Sequence, residues 1–340
     1  MAFRSFPAFR GKGEGKDCTG VSIGFMILSL MALDHFVPQV HLRQFCCPSL
    51  NGKLNAIRKS NLHYFTPTTG AICGMNEGNT NKFLKEPRLI ENFLKEIEPK
   101  YPQSINNLIE GCLDQETIYT ISGFVAYVLV CSPAGTRLNA GSFDEILAET
   151  ARRLEKGGKF PPPPAGMKSL AQMLDEGAAK VVIDSKLPQS MGIANIIEMT
   201  HEFGNFHWEV MINECESSPF FTSDFPIAIE KNEFHTFDRI VPLSPHVAIR
   251  IKPNKELRNV PASFEGFSYK MKKISPVEAK IINSKIIRCA EETVFYRDNH
   301  VWVLPFVRRN ARFRIENKST IIKRGKGTAI ISSLSVDALS

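Results

Sequence analysis

Four consecutive prolines at 161–164 constrain this chain more than any other segment, because such a run propagates neither a helix nor a sheet ladder. The fold is interrupted there, and the run joins two helical hairpins of one domain as readily as it joins two domains. Upstream, Ile90, Phe93, Leu94 and Ile97 recur at helical spacing, which predicts a helix from Arg88 to about Glu98, ahead of Pro99. A second helix over 118–130 is apolar nearly all round and therefore reads as buried, with Cys131-Ser132-Pro133 ending it. Ser142 and Glu145 have the spacing of a capping box, which predicts a helix start there and a stop at Gly157-Gly158. Downstream, 167–177 and 188–203 read as helices. Phe206, Trp208, Val210 and Ile212 then alternate with His207 and Glu209, as in a half-buried strand. Strands at 220–222, 227–229 and 247–251 follow. Ser275, Pro276 and Glu278 open a helix through about Ala290, and 301–306 reads as a last strand. Blocks of helix and then strand, without regular alternation, indicate an α+β fold: a helical bundle-like part packed on a mostly antiparallel sheet.

The formal charge of +7 invites a nucleic-acid reading, and its distribution argues against one. Eight basic side chains against Glu316 and Asp337 lie in 307–340, and Arg4, Arg10, Lys12 and Lys16 oppose Glu14 and Asp17 at the start. The body at 34–306 is left close to neutral, so a phosphate-backbone groove is weakly supported. The expected organisation is an N-terminal extension at 1–33, a single elaborated domain at 34–306 with a candidate break at 158–166, and a basic tail at 307–340 that is solvated and partly disordered. The apolar run 21–32 has the length of a signal-peptide core and is too short to span a bilayer. Met31 is an equally economical start. The eight cysteines form no Cys-x-x-Cys pair and no common zinc spacing, which favours reduced thiols and a cytoplasmic protein; cleavage of 1–32 would instead mean export. Phosphate-binding loops, dinucleotide fingerprints, His-Glu-x-x-His and calcium loops are absent from the sequence.

Candidate chemistry begins at 34–45, Asp-His-Phe-Val-Pro-Gln-Val-His-Leu-Arg-Gln-Phe. Pro38 disfavours helix at Val37 and opens one itself, so His35 sits on an extended entry while Gln39 and Arg43 share a helical face. His35 is a candidate proton carrier, and otherwise an anchor for the helix through a backbone carbonyl. Gln39 and Arg43 are candidate substrate binders, Arg43 offering a planar fork to phosphate or carboxylate; it could equally pair with Glu91 or Glu98. Those two glutamates lie seven apart, on one side of their helix beside its apolar stripe. Asp224 follows Thr222-Ser223 between two apolar runs and reads equally as a turn residue or as a functional carboxylate. Ser223 lacks a Gly-x-Ser-x-Gly setting. Arg137 and Asn283 are lesser candidates.

The His-aromatic-Val-Pro-Gln opening resembles that of a bacterial family known as domain of unknown function 4238. Trp208-Glu209-Val210-Met211-Ile212 followed by 219–227, the pair Glu91 and Glu98, and the helix from Ile282-Asn283 to Ala290 resemble further segments of that family in the right order. Phe225 stands where the family usually has Asn, and Cys131-Ser132-Pro133 where Arg-Thr-Pro is expected. The resemblance implies one fold over roughly 34–306 and implies no activity. Two readings follow. One is a hydrolase, metal-dependent on phosphodiesters, in which Glu91, Glu98 and Asp224 hold magnesium or manganese, His35 and Asp224 are catalytic, and Gln39, Arg43 and Asn283 bind substrate. The other is a non-catalytic ligand-binding or regulatory module whose polar cluster is structural.

Overall fold

A computed structural model describes residues 32–339 except 235, 255, 258–260, 325 and 326; the candidate leader at 1–31 lies outside the described residues. The extended entry β1 (Leu33–His35) leads through Phe36 and Val37 to Pro38, whose extended backbone is the N-cap position of the short helix α1 (Gln39–Arg43). Then follow β2 (Asn55–Arg58), β3 (Tyr64–Phe65) and β4 (Gly74–Asn76), with β4 antiparallel to β1. The helical block comprises α2 (Leu89–Ile97), α3 (Tyr101–Glu110), α4 (Gln115–Cys131), α5 (Pro133–Lys156), α6 (Leu170–Asp175), α7 (Lys186–Ala194) and α8 (Ile196–Gly204). After it come β5 (His207–Ile212), β6 (Thr222–Ser223), β7 (Ala228–Lys231), β8 (Phe237–Pro242), β9 (Val247–Lys252) and β10 (Ser268–Lys273). The chain continues through α9 (Pro276–Cys289), β11 (Thr293–Tyr296), α10 (Val303–Asn310), β12 (Phe313–Arg324) and β13 (Gly327–Ala338).

Two sheets carry the body, in the orders β10-β5-β9-β8-β7 and β3-β2-β11-β6, and every pairing in them is antiparallel except β10 on β5. The fold is α+β. Its largest core joins α2, α3, α4 and α8 to the five-stranded sheet, with Phe124, Tyr127, Trp208 and Ile249 fully or almost fully buried. As its composition requires, α4 is covered on nearly every side. Among the described residues no single helix is long and apolar enough to cross a membrane.

Several local expectations lose to tertiary context. Ser132 caps α5 by accepting from Gly135 N, and the helix then runs unbroken through 142–145, so a capping-box spacing inside a propagating helix starts nothing. The stretch 188–203 is two helices meeting at Asn195. The expected strand at 301–306 is instead α10, because Val303, Phe306 and Val307 recur at helical rather than alternating spacing, and Pro305 sits in the first turn, where it costs little. In β5, Glu209 is buried along with the apolar residues and lies 3.3–3.6 Å from Arg250, Lys252 and Lys270. The residues expected to form a loose basic tail are largely a long antiparallel hairpin, β12–β13. Ile315 of that hairpin enters the core, and Phe313 O accepts from Lys59 Nζ at 2.8 Å. The four prolines link α5 to α6, which returns onto α5 where Glu155 accepts from Leu170 N at 2.7 Å.

Candidate functional site

β1, α1 and one side of α2 enclose a polar cleft of about 220 Å³. Its lining includes Asp34, His35, Gln39, Arg43, Glu91 and Glu98, so five of the candidate residues named above converge in space. The one-turn spacing of Gln39 and Arg43 aims both from α1. Glu91 and Glu98 come from opposite ends of α2, flanked by buried Ile90 and Ile97. Pro99 ends that helix in a 3-10 turn that starts at Glu98 and holds its carboxyl at the rim.

Two sublayers differ in how fully they are satisfied. The deeper one is closed: Asp34 accepts from Asn79 N at 3.0 Å and pairs with Arg88 at 2.7 Å, and Glu91 accepts from Asn79 Nδ2 at 2.6 Å and lies 3.3 Å from Arg88. The single hydroxyl proton of Tyr127 is shared between His35 O and Asn79 Oδ1, at 2.9 and 3.0 Å. Arg88, Asn79 and Tyr127 carry no motif spacing relative to His35, so sequence reading missed them; only Arg88, at i−3 from Glu91, was in principle readable. The outer layer is looser. His35 Nε2 lies 3.3 Å from Gly70 O, an obligate acceptor, which assigns the proton to Nε2 and leaves Nδ1 to accept from Gln39 at a long 3.5 Å. Gln39 Oε1 accepts from Thr69 at 3.2 Å and from Arg43 at 3.4 Å.

Glu98 has a different status from its neighbours. Among the described residues its carboxyl makes no hydrogen bond and no ion pair within 4 Å, and burial, then the nearby Glu91 charge, push its pKa up while Arg43 draws it back. Arg43 pairs with neither glutamate, since Arg88 already serves Glu91. The cleft thus presents an acid biased toward its neutral form, an exposed guanidinium and an imidazole with one weakly held nitrogen.

The motif helix is fixed from behind by a residue that sequence reading passed over. His41 is fully buried between Tyr101 OH (2.8 Å from Nδ1) and Thr222 Oγ1 (2.7 Å from Nε2), and stacks on Phe124 with centroids 4.7 Å apart. Burial lowers its pKa to about 3, so the ring is neutral. The Thr-Ser-Asp segment therefore meets the opening motif through its threonine rather than its aspartate.

Asp224 and Asn283 do not reach the cleft. Asp224 accepts from the backbone N–H groups of Glu291, Glu292 and Thr293 at 2.8–2.9 Å, tying β6 to the loop before β11. Burial pushes its carboxyl up to about 6 against the pull of those donors and of Lys59. Asn283 bridges Phe221 N and Pro219 O, at 2.8 Å each. Arg137 joins Glu291, Glu316 and Ile315 O across α5 and β12. The expected metal trio is accordingly not assembled: Glu91 and Glu98 share the cleft, Asp224 is spent on backbone donors elsewhere, and among the described residues no group of three or more His, Cys, Asp or Glu side chains is arranged to hold an ion.

No curated protein and no solved structure matches the chain. A family model described as "Protein of unknown function (DUF4238)" matches residues 34–300, which takes in the cleft, the buried histidine and the Thr-Ser-Asp segment. Covering most of the chain, that match places this protein in the DUF4238 family.

Proposed function

We propose that the cleft is a hydrolytic acid–base site, in which Glu98 and His35 carry protons and Gln39 and Arg43 orient the substrate. The observation that carries this reading is Glu98: a partly buried carboxyl with no hydrogen-bond or ion-pair partner among the described residues, its pKa raised by burial, across from Arg43. A purely structural cluster satisfies its acids, as Asp34 and Glu91 are satisfied; an unspent acid whose pKa is raised by burial is better suited to donate a proton to a leaving group. On substrate entry, the 3.5 Å bond from Gln39 to His35 Nδ1 is the cheapest to give up, which frees that nitrogen as a base.

Three carboxyl groups and one guanidinium line the cleft, with Arg88 paired to Asp34 and Glu91 behind them, so its charges nearly balance and charge alone does not choose between neutral esters and amides and a phosphodiester. A second reading, a non-catalytic polar pocket, draws support from His35 having a partner at both nitrogens.

The test is a hydrolysis screen on neutral and cationic esters and amides, and on phosphodiesters with and without magnesium or manganese. Wild type is compared with Glu98→Gln, His35→Ala and, as a distant control, Asp224→Asn. The expected outcome is a loss of at least 100-fold for the first two variants, the usual scale of a proton-transfer contribution. Because the Glu98 pKa is raised, the wild-type rate falls as pH rises through it, and Glu98→Gln abolishes that limb. Equal background for wild type and both cleft variants on every substrate would sink the enzymatic reading in favour of a binding pocket.

A further inference from the structure

A second concavity lies away from the cleft, at the elbow where α4 meets α5, and encloses about 210 Å³. Leu129, Leu138, Met199 and Leu334 give it apolar walls, while Arg239 and Glu202 are the charged groups in its lining. Arg239 projects from β8, with its guanidinium stacked on Phe203 at 4.7 Å from the ring centroid. Among the described residues it makes no hydrogen bond and no ion pair within 4 Å. Its side chain is half-buried, and five donors so placed commonly recruit a carboxylate or carbonyls. Burial lowers its pKa, and Glu202 and Asp238 act at longer range to restore it. Elsewhere arginines are used up: Arg88, Arg137 and Arg250 each have carboxylate partners.

We infer that this pocket binds a small zwitterion, an α-amino acid with an apolar side chain. The Arg239 fork would take the carboxylate, the exposed Glu202 the ammonium, and the leucine and methionine walls the side chain. A simple anion is a poorer fit because the negative charges of Glu202 and Asp238 already act on the surroundings of the guanidinium. A cation alone leaves Arg239 unanswered. The volume suits a molecule of amino-acid size rather than a nucleotide or cofactor.

The test is titration calorimetry and thermal shift on the full chain with L-leucine, 4-methylpentanoate and 3-methylbutylamine. These share one apolar skeleton and differ in their charged groups. Saturable binding of L-leucine is expected, with the acid at least 10-fold weaker and the amine undetectable. Glu202→Gln, at an exposed position, should narrow or reverse the preference for L-leucine over the acid, and Arg239→Gln should abolish binding of both. If Arg239→Gln does not fold, the wild-type series and Glu202→Gln still decide. No saturable binding of L-leucine to wild type at millimolar concentration overturns the inference, as does an unchanged leucine-to-acid ratio in Glu202→Gln. Because α4, α5, α8, β8 and the β12–β13 hairpin build this pocket, His35→Ala should leave leucine binding unaltered, which separates its failure from that of the cleft.

Discussion

His41 decides whether the motif helix stays docked, and it does so only while neutral. Its folded pKa of about 3 lies below the ordinary 6.5, so its contribution is fully present above pH 6.5 and is lost as pH falls toward 3. Within that window each pH unit is worth about 1.4 kcal/mol. Asp224 works in the opposite sense: its carboxyl is raised from 3.8 to about 6, so its contribution is present below 3.8 and is lost as pH rises through 6. Between pH 4 and 6 the two offset, which hides both from a wild-type pH curve. The difference between wild type and His41→Gln removes the shared Asp224 part. The variant should be less stable by about 2–4 kcal/mol at pH 8, from a poorer fit and strained hydrogen bonds to Tyr101 and Thr222. That gap should shrink steadily from pH 6.5 to 4 in urea titrations. A gap independent of pH would mean the ring is not held neutral.

At the scale of elements, α5, β12 and the loop after α9 meet at one guanidinium. Arg137 makes a two-pronged pair with Glu291 at 3.1 and 2.7 Å and reaches Glu316 at 2.8 Å, all three side chains being less than one-third exposed. Replacing it with Met keeps the stem's packing but takes the two-pronged partner from Glu291 and leaves both carboxylates to Arg314 alone, and should cost about 1–3 kcal/mol, read as a lower urea midpoint. An unchanged midpoint would show that water repays the loss. None of this pairing was visible in the sequence, where Arg137 stood only as a lesser site candidate. What was visible followed one physical rule: patterns that a segment can satisfy within itself survive. The stripe of α2 and the caps of α9 are local, and both fold as their spacing dictates. Strands whose reason to exist is a partner, such as exposed β10 or the paired hairpin, leave little trace in their own composition. The cleft was half legible for the same reason. His35, Gln39 and Arg43 are close in sequence and Glu91 and Glu98 share one helix face, whereas Asn79 and Tyr127 reach His35 only through the fold.

For the molecule as a whole, the β12–β13 hairpin lies beyond the stretch matched by the family and yet is built into the body. Ile315 is 1% exposed in the main core, Phe313 O receives the Lys59 ammonium, and Glu316 answers Arg137. Lys59 also donates to Ala290 O at the end of α9, so one buried amine ties that helix to the hairpin. The same α9–β11 loop is held by Asp224, which links the hairpin indirectly to the Thr-Ser-Asp segment and, through Thr222 and His41, to the motif helix of the cleft. Ending the chain after Asn310 should therefore do more than remove a basic appendage. Loss of the Ile315 side chain from the core accounts for about 2 kcal/mol, and loss of Glu316 and the Ile315 carbonyl from Arg137, which keeps Glu291, for about 1 more. The shortened chain should unfold at a clearly lower urea concentration than the full chain. Amide exchange should also quicken at Glu291, Glu292 and Thr293, whose N–H groups Asp224 holds. A truncated chain with the original midpoint and unchanged exchange in that loop would make the hairpin an independent addition, and would confine the cooperative unit to the residues the family shares.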